Sequence, residues 1–548
     1  MTTERERLPI VVCLILVLAV ALRLIGIGYG LPAVFNSDEP HLVNVAVSFG
    51  GGSLNPHLFK YPTLWMYVLF AAYGVYFAFW SGLGQLHSAA DFGRYFVWNP
   101  TPFFLIGRLL AAGFSAAALI PVYRTGRRWL GTSAAAAAAL LLAVSPGAVK
   151  VAHSTKPESL LFFFSALAWA FAARYLDEGR RRDLLLAAAA AGCAFSSQYT
   201  AALLGVLLVS TWVARRVKEG AAPADLPLAC VVMGAAFVAG SPFVAVDFHE
   251  FWSTVRDIGR FESVLGTPAG LRVVAANVYN FAGFWLGGLS LLAGTIVTLR
   301  RDKVRACWLL APVLAYLLVL ARSSEGGWDR YLMAVYPALA LLAAAAVDAC
   351  EASGGRSAAF AVTLLAAAPG VWGSATYDRE ILLPDTRTLS ADWIEANVPQ
   401  GKTLLLDQEH ASPRVAMSKA TAARLLEQTR KEGHPRAKYY QYLLDGHPGG
   451  GYGVYRVLRD YKDLHTHEEH ASYSAKGQPM LDVRPGLAAA KAAGVDYVVL
   501  TDFGADPSRS PELVPFLGQV RKEGARVADF APQAGRIEGP RIEIYRLR

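Results

Sequence analysis

Charge is scarce in this chain: 17% of its 548 residues are Asp, Glu, Lys or Arg, against roughly a quarter in soluble domains. Cysteine is scarcer. The five present (Cys13, Cys193, Cys230, Cys307 and Cys350) all fall in or beside apolar runs, with no CxxC spacing. That excludes a disulfide framework and a thiolate metal cluster as organising devices. No phosphate-cradling loop is present either. The glycine-rich stretch Gly446-His447-Pro448-Gly449-Gly450-Gly451 lacks the lysine and the strand–helix setting of a P-loop. The net charge of +9 does not mark a nucleic-acid partner. The Arg and Lys of the first part sit in short clusters between apolar runs, the pattern of cytoplasmic membrane loops.

What is abundant is apolar surface: 54% of residues are hydrophobic and the mean hydropathy is +0.33. Runs long enough to span a bilayer recur from Leu8 to about Ala375 and then stop. A polytopic helical membrane domain over 1–375 is expected, followed by a soluble domain over 385–548. Expected spans lie near 8–28, 101–123, 132–150, 159–176, 183–197, 198–214, 226–246, 276–298, 304–321, 330–348 and 357–374. Residues 183–214 lie between two basic clusters and so read as a hairpin. The first run follows Arg5 and Arg7 but meets no convincing small-x-small cleavage site, so it reads as a retained helix. The run 63–84 conflicts with the charge map and is expected as a re-entrant or interfacial helix pair. The basic clusters then place the N-terminus in the cytoplasm. Segments 31–62, 151–158, 247–275, 322–329 and the tail fall outside. Segment 247–275 reads as an amphipathic interfacial helix.

The tail mixes helical patterns (389–397, 416–431, 435–444, 487–493) with strands at 403–406, 496–500 and 542–547, the last closing a small sheet. An α/β or α+β domain follows. His465, His467 and His470 read as a solvated polar stretch, since no second cluster completes a metal site. The tail shows no nucleophile–base arrangement and reads as accessory.

Against this apolar background, the pair Asp38-Glu39 stands out just beyond the first helix. Carboxylates are costly near a bilayer and usually functional there; the alternative is a solvated loop acid. Asp38, His41 and Asn44 recur at three-residue spacing, one helix face if the chain turns helical after Ser37. Ser37 or Asp38 would otherwise cap that helix. Next come His57, Lys60 and Tyr61 in a polar, proline-containing loop; Lys60 either meets a phosphate or snorkels. His153 and Glu158 occupy a later corner, Glu158 either as a first-turn helix acid or as a second site carboxylate. Arg330 lies at another expected boundary, where it suits a phosphate, pairs with Asp329 or snorkels.

The order of these parts resembles the GT-C superfamily of polyprenyl-phosphate-sugar glycosyltransferases, in the branch of protein O-mannosyltransferases and aminoarabinose transferases. The matching pieces are Asp38-Glu39, Lys60-Tyr61-Pro62-Thr63-Leu64, Arg108-Leu109-Leu110, Ser145-Pro146 through Glu158, Arg330-Tyr331 with Pro337, and Asp385-Thr386-Arg387 with Trp393-Ile394. The chain departs from the pattern at Gln198, where a lysine is frequent, at Glu158, where Asp is common, and at Tyr61, where a proline is usual.

The resemblance implies a GT-C-like fold of about 11–13 transmembrane helices with a C-terminal α/β domain. It also implies sugar transfer, with inversion, from a polyprenyl-phosphate donor to a glycan, lipid or protein hydroxyl on the external face. By carry-over, Asp38 is the base, with Glu39 and Glu158 shaping the acceptor or sugar site. Lys60, Arg330 and Arg108 hold the phosphate, and His41, His57, Tyr61, His153, Gln198 and Tyr331 line the substrates. No cofactor or metal is assigned, although some members use a divalent ion. The plain helical N-terminus and the lack of organelle signals point to a prokaryotic plasma membrane; the expected contacts are membrane lipids, and nucleic acid is not an expected partner. A lipid-linked glycan transporter or flippase is the alternative.

Overall fold

The computed structural model of the chain describes residues 8–262, 269–283, 285–322, 330–407, 410–458, 479–506 and 511–547. The chain divides into two compact units. One comprises Met1–Ile27, His41–Gly74 and Phe104–Asp378; the other comprises Gly28–Pro40, Val75–Phe103 and Arg379–Arg548.

The first unit is helical. Counted over both units, five helices are long and apolar enough to cross a membrane among the described residues: Leu64–Gly82, Thr101–Trp129, Glu158–Glu178, Tyr199–Glu219 and Leu332–Ile381. Two bent pairs, including Thr132–Ala143 with Pro146–Ala152, raise the number to seven if each is one span. Among the described residues, length and composition alone thus single out fewer helices than the expected eleven to thirteen. Ile10–Leu24 and Asp225–Gly240 are apolar but short, and the last expected spans, 330–348 and 357–374, run together across a break at Gly355 (φ 71°). The stretch 63–84 also differs from expectation. It is one continuous helix, Leu64–Gly82, whose sequence holds neither proline nor charge to break it. The helix expected over 247–275 is two, Phe248–Glu262 and Ala269–Ala282, with 263–268 outside the described residues.

Small residues set the spacing between these helices, because lipid gives helix association no hydrophobic drive and close backbone approach must supply it. A Cβ on Gly192 would meet the Met233 carbonyl oxygen at 2.4 Å, and one on Gly294 would reach the Leu342 carbonyl oxygen at 1.8 Å. Arg23 is fully buried in the first helix. Its guanidinium donates to Ser115 Oγ (2.9 Å) and to the carbonyls of Ala19 (2.9 Å), Ala143 (2.9 Å) and Leu142 (3.2 Å). A buried cation in an apolar unit needs such saturation.

The second unit carries the α/β domain. Its sheet comprises β1 (Thr403–Leu406), β2 (Gly453–Val457), β3 (Met480–Leu481), β4 (Tyr497–Thr501), β5 (Ala525–Phe530) and β6 (Ile542–Arg546), in the order β3-β2-β1-β4-β6-β5. The strands β3, β2, β1 and β4 run parallel, and β6 is antiparallel to both β4 and β5. The sequence reading found β1, β4 and β6 but not the other three. The final strand does not close the sheet, because β5 lies outside it. Apolar clusters cover both faces, one around Leu405, Val498 and Phe516 and one around Leu404, Val499 and Ile544, as a mostly parallel sheet requires.

Two segments from early in the chain belong to this unit. Helix Ala89–Trp98 lies against helix Arg436–Asp445: Trp98 Nε1 donates to the Tyr442 carbonyl (3.2 Å), and Arg94 lies 3.5 Å from Asp445. The other segment is the loop 28–40, which bears the acidic pair.

Candidate functional site

The sequence-predicted residues fall into three groups. In the second unit, Asp38 is half-buried one residue ahead of helix Glu39–Ser48, and Glu39 is buried. The Asn36 side chain accepts from the Asp38 backbone N–H (3.1 Å), a local turn that fixes the approach to the helix. The predicted helix after Ser37 therefore forms, and His41 and Asn44 lie exposed along it, within the first unit's portion.

The second group is the corner 153–158 of the first unit. Glu158 is buried at the start of helix Glu158–Glu178, where the helix dipole favours an acid. Arg330 Nε lies 2.9 Å from its Oε1, and Lys156 Nζ lies 4.0 Å from the same atom. Glu158 is thus a first-turn acid, as one of its two readings had it, and it also faces two cations. Gly107 lets helix Thr101–Ala117 approach this corner, since a Cβ there would lie 2.1 Å from Thr155 Cγ2. Thr155 in turn donates to the Phe104 carbonyl (3.0 Å).

Arg108 and His153 brace the chain. Both are buried. Arg108 Nη1 donates to the Ile27 carbonyl (2.7 Å), and His153 Nε2 lies 2.7 Å from the Ile25 carbonyl, with its Nδ1 2.9 Å from that of Val149. These two side chains grip the end of the first helix, directly before the acidic loop in sequence. That geometry gives Arg108 an anchoring contact besides the phosphate contact expected of it. Tyr331 opens the short helix Tyr331–Val335, but its side chain lies outside the described residues, as do Trp328, Asp329 and the histidines at 465, 467 and 470.

The third group is the loop 53–63, tied down from two sides. Tyr199 donates to the Phe59 carbonyl (2.9 Å), the Thr63 N–H donates to Ser241 Oγ (3.0 Å), and the Leu64 N–H donates to the Ser196 carbonyl (3.2 Å). Asn55 Nδ2 donates to Asp247 (2.9 Å), and His57 Nδ1 lies 3.1 Å from Glu250. The Asn55 amide holds the Asp247 carboxyl below the usual carboxylate range. Ligand-type atoms of His57, Asp247 and Glu250 all lie within 4.8 Å of one another. His57 therefore faces two carboxylates, a set of ligand types that could hold a cation. This network brings Gln198, buried, into the same region as Tyr61, also buried. Lys60 stays exposed, its Nζ 5.9 Å from the Tyr61 ring centroid. It is a cation available to an anion, held on a loop of fixed path.

Sequence reasoning missed Arg23, Gly107, Tyr199 and Ser241. Among these only Arg23, a lone charge inside an apolar run, carries a signal legible without coordinates.

Residues 105–245 match the sequence profile of the dolichyl-phosphate-mannose-protein mannosyltransferase family. No curated protein matches the chain in sequence. Among solved structures it is similar to ArnT from Cupriavidus metallidurans bound to undecaprenyl phosphate, at 15% identity and a TM-score of 0.56 over 97% of each chain. It is also similar to the oligosaccharyltransferase AglB from Archaeoglobus fulgidus, at 13% identity and a TM-score of 0.51, over 93% of this chain and 72% of that one. The matched segment contains Arg108, His153, Glu158 and Gln198, and the fold likeness runs nearly end to end. The chain thus shares the fold of these two membrane proteins, and its segment 105–245 is similar to the dolichyl-phosphate-mannose-protein mannosyltransferase family.

Proposed function

We propose that this protein transfers a sugar from a polyprenyl-phosphate donor to a hydroxyl acceptor, with inversion, at the external face of a prokaryotic plasma membrane. The acceptor oxygen attacks the anomeric carbon as its proton passes to the Asp38 carboxylate. The bond from the anomeric carbon to the phosphate oxygen breaks, and its electron pair leaves with the polyprenyl phosphate. That leaving group already carries charge, so cations must meet it and no general acid is needed. Lys60 and Arg330 are assigned that role, with Glu158 setting the position of the Arg330 guanidinium. Glu39 and Glu158 shape the sugar or acceptor side, and the reaction as written draws on no metal.

The observation that carries the reading is the mannosyltransferase-profile match over 105–245, set within a fold like that of a protein crystallised with undecaprenyl phosphate. The buried Glu158 carboxylate beside Arg330 supports it, because such an ion pair is costly to build in an apolar unit without a task. The test is sugar transfer by purified protein in detergent, using the host's polyprenyl-phosphate-sugar fraction as donor. Asp38→Asn should abolish transfer while the protein still folds and inserts; full activity in that variant sinks the assignment. Turnover without a second compartment also separates transfer from transport.

A further inference from the structure

We propose that Arg387, in the C-terminal segment, is a positioning residue for the acidic loop: it clamps Phe35 and thereby fixes where the loop presents Asp38. The inference rests on the reading of Asp38 as the reacting acid, and it gives the α/β domain a part in the reaction.

Four contacts define the clamp, all within the second unit. The Arg387 guanidinium carbon lies 3.7 Å from the Phe35 ring centroid. Asp385 grips the same guanidinium through two parallel bonds, from Nε (2.8 Å) and Nη2 (2.7 Å), and also caps helix Thr386–Asn397 by accepting from the Arg387 N–H (2.8 Å). The remaining Nη1 donates to the His410 carbonyl (3.1 Å). Farther along the loop, Arg414 Nη1 donates to the Pro32 carbonyl (3.0 Å).

The guanidinium is thus immobilised before it meets the ring, so little entropy is lost on stacking. On the loop side, Phe35 also leans on Gly30, where a Cβ would fall 2.6 Å from the ring and φ is +66°, a conformation that suits glycine. Phe35 precedes Asp38 by three residues, and the Asn36 turn joins them. A loop held at Pro32 and Phe35 and continuing into helix Glu39–Ser48 leaves Asp38 little freedom. A misplacement of about 1 Å at a reacting group costs on the order of a hundredfold in rate, so the clamp bears on kcat.

Two measurements on the full-length protein test this. In transfer kinetics, Arg387→Met and Phe35→Leu should each lower kcat about ten- to a hundredfold with donor KM little changed, and Phe35→Tyr, which keeps the stack, should stay near the parent. The double variant Phe35→Leu/Arg387→Met should be no worse than the poorer single one, since both remove one contact. Hydrogen exchange read by mass spectrometry on the peptide covering 28–40 should accelerate about tenfold in Arg387→Met and Phe35→Leu but not in Phe35→Tyr. That second readout does not depend on what Asp38 does. Unchanged exchange and unchanged kcat in both disruptive variants overturn the clamp even if Asp38→Asn is inactive. Faster exchange with an active Asp38→Asn would keep the clamp and remove its catalytic meaning.

Discussion

Arg330 and Glu158, distant in the chain, form a buried ion pair with Arg330 Nε 2.9 Å from Glu158 Oε1. Glu158 is buried at a helix start and Arg330 immediately precedes a short helix. The pair therefore joins two turns of backbone as well as two charges. Glu158→Gln removes this counter-charge and should cost about 3 kcal/mol. Arg330→Gln should cost a similar amount, and the double variant should cost less than the sum by at least about 1 kcal/mol. Thermal unfolding of the four proteins in one detergent checks it; strictly additive losses would show that the two side chains do not stabilise each other.

Arg23 gives a second prediction. Its four donors meet a hydroxyl and three carbonyls in fixed directions, a pattern that suits a planar fork and not a point charge. Arg23→Lys should therefore destabilise the protein by about 1–3 kcal/mol despite keeping its charge. Arg23→Leu should be no more stable than that, because it withdraws the guanidinium's donors from Ser115 Oγ and from the carbonyls of Ala143 and Leu142. A lysine variant with the parent's unfolding midpoint would contradict this.

Gly294 tests how the membrane helices pack. A methyl group placed there would overlap the Leu342 carbonyl oxygen at 1.8 Å, and the obstacle is backbone. Gly294→Ala should cost at least about 1–3 kcal/mol through forced helix separation, although alanine is the better helix former by roughly 1 kcal/mol. Gly288→Ala, on the same helix with nothing near its Cβ position, should be neutral or mildly stabilising. Equal effects at the two sites would mean that helix propensity, and not packing, decides.

Lys60 gives a fourth. The loop that carries it is pinned by Tyr199, Ser241 and Ser196, so its charge can be removed with little structural loss. Lys60→Gln should raise donor KM about tenfold, the loss of one charge-assisted contact, and leave the unfolding midpoint within a degree or two of the parent. A variant with unaltered donor KM would remove Lys60 from the phosphate site.

Much of this architecture was legible in the sequence, for reasons visible in particular residues. Apolar runs bounded by basic clusters gave every expected span a helix near its place, and the Asp38 spacing anticipated helix Glu39–Ser48. The span count was less legible, because helix length and the junction at Gly355 depend on packing that hydropathy does not encode. Strands β2 and β5 were missed because glycine, arginine or aspartate interrupts the apolar residues of Gly453–Val457 and Ala525–Phe530. Of the site, residue types were legible but partners were not. Arg108 and His153 read as ligands for a phosphate or sugar, and the sequence carried no sign that they also reach the backbone carbonyls of Ile27 and Ile25. Arg387 was visible only as part of a motif; its contact with Phe35 joins residues far apart in the sequence.

The most direct test of the account is mass spectrometry of lipids that co-purify with the parent and with Asp38→Asn. Binding without turnover predicts that the Asp38→Asn protein retains a glycosylated polyprenyl phosphate, while the parent carries mainly the free polyprenyl phosphate product. Neither protein carrying any prenyl phosphate, or both carrying the same glycosylated form at equal occupancy, would contradict it.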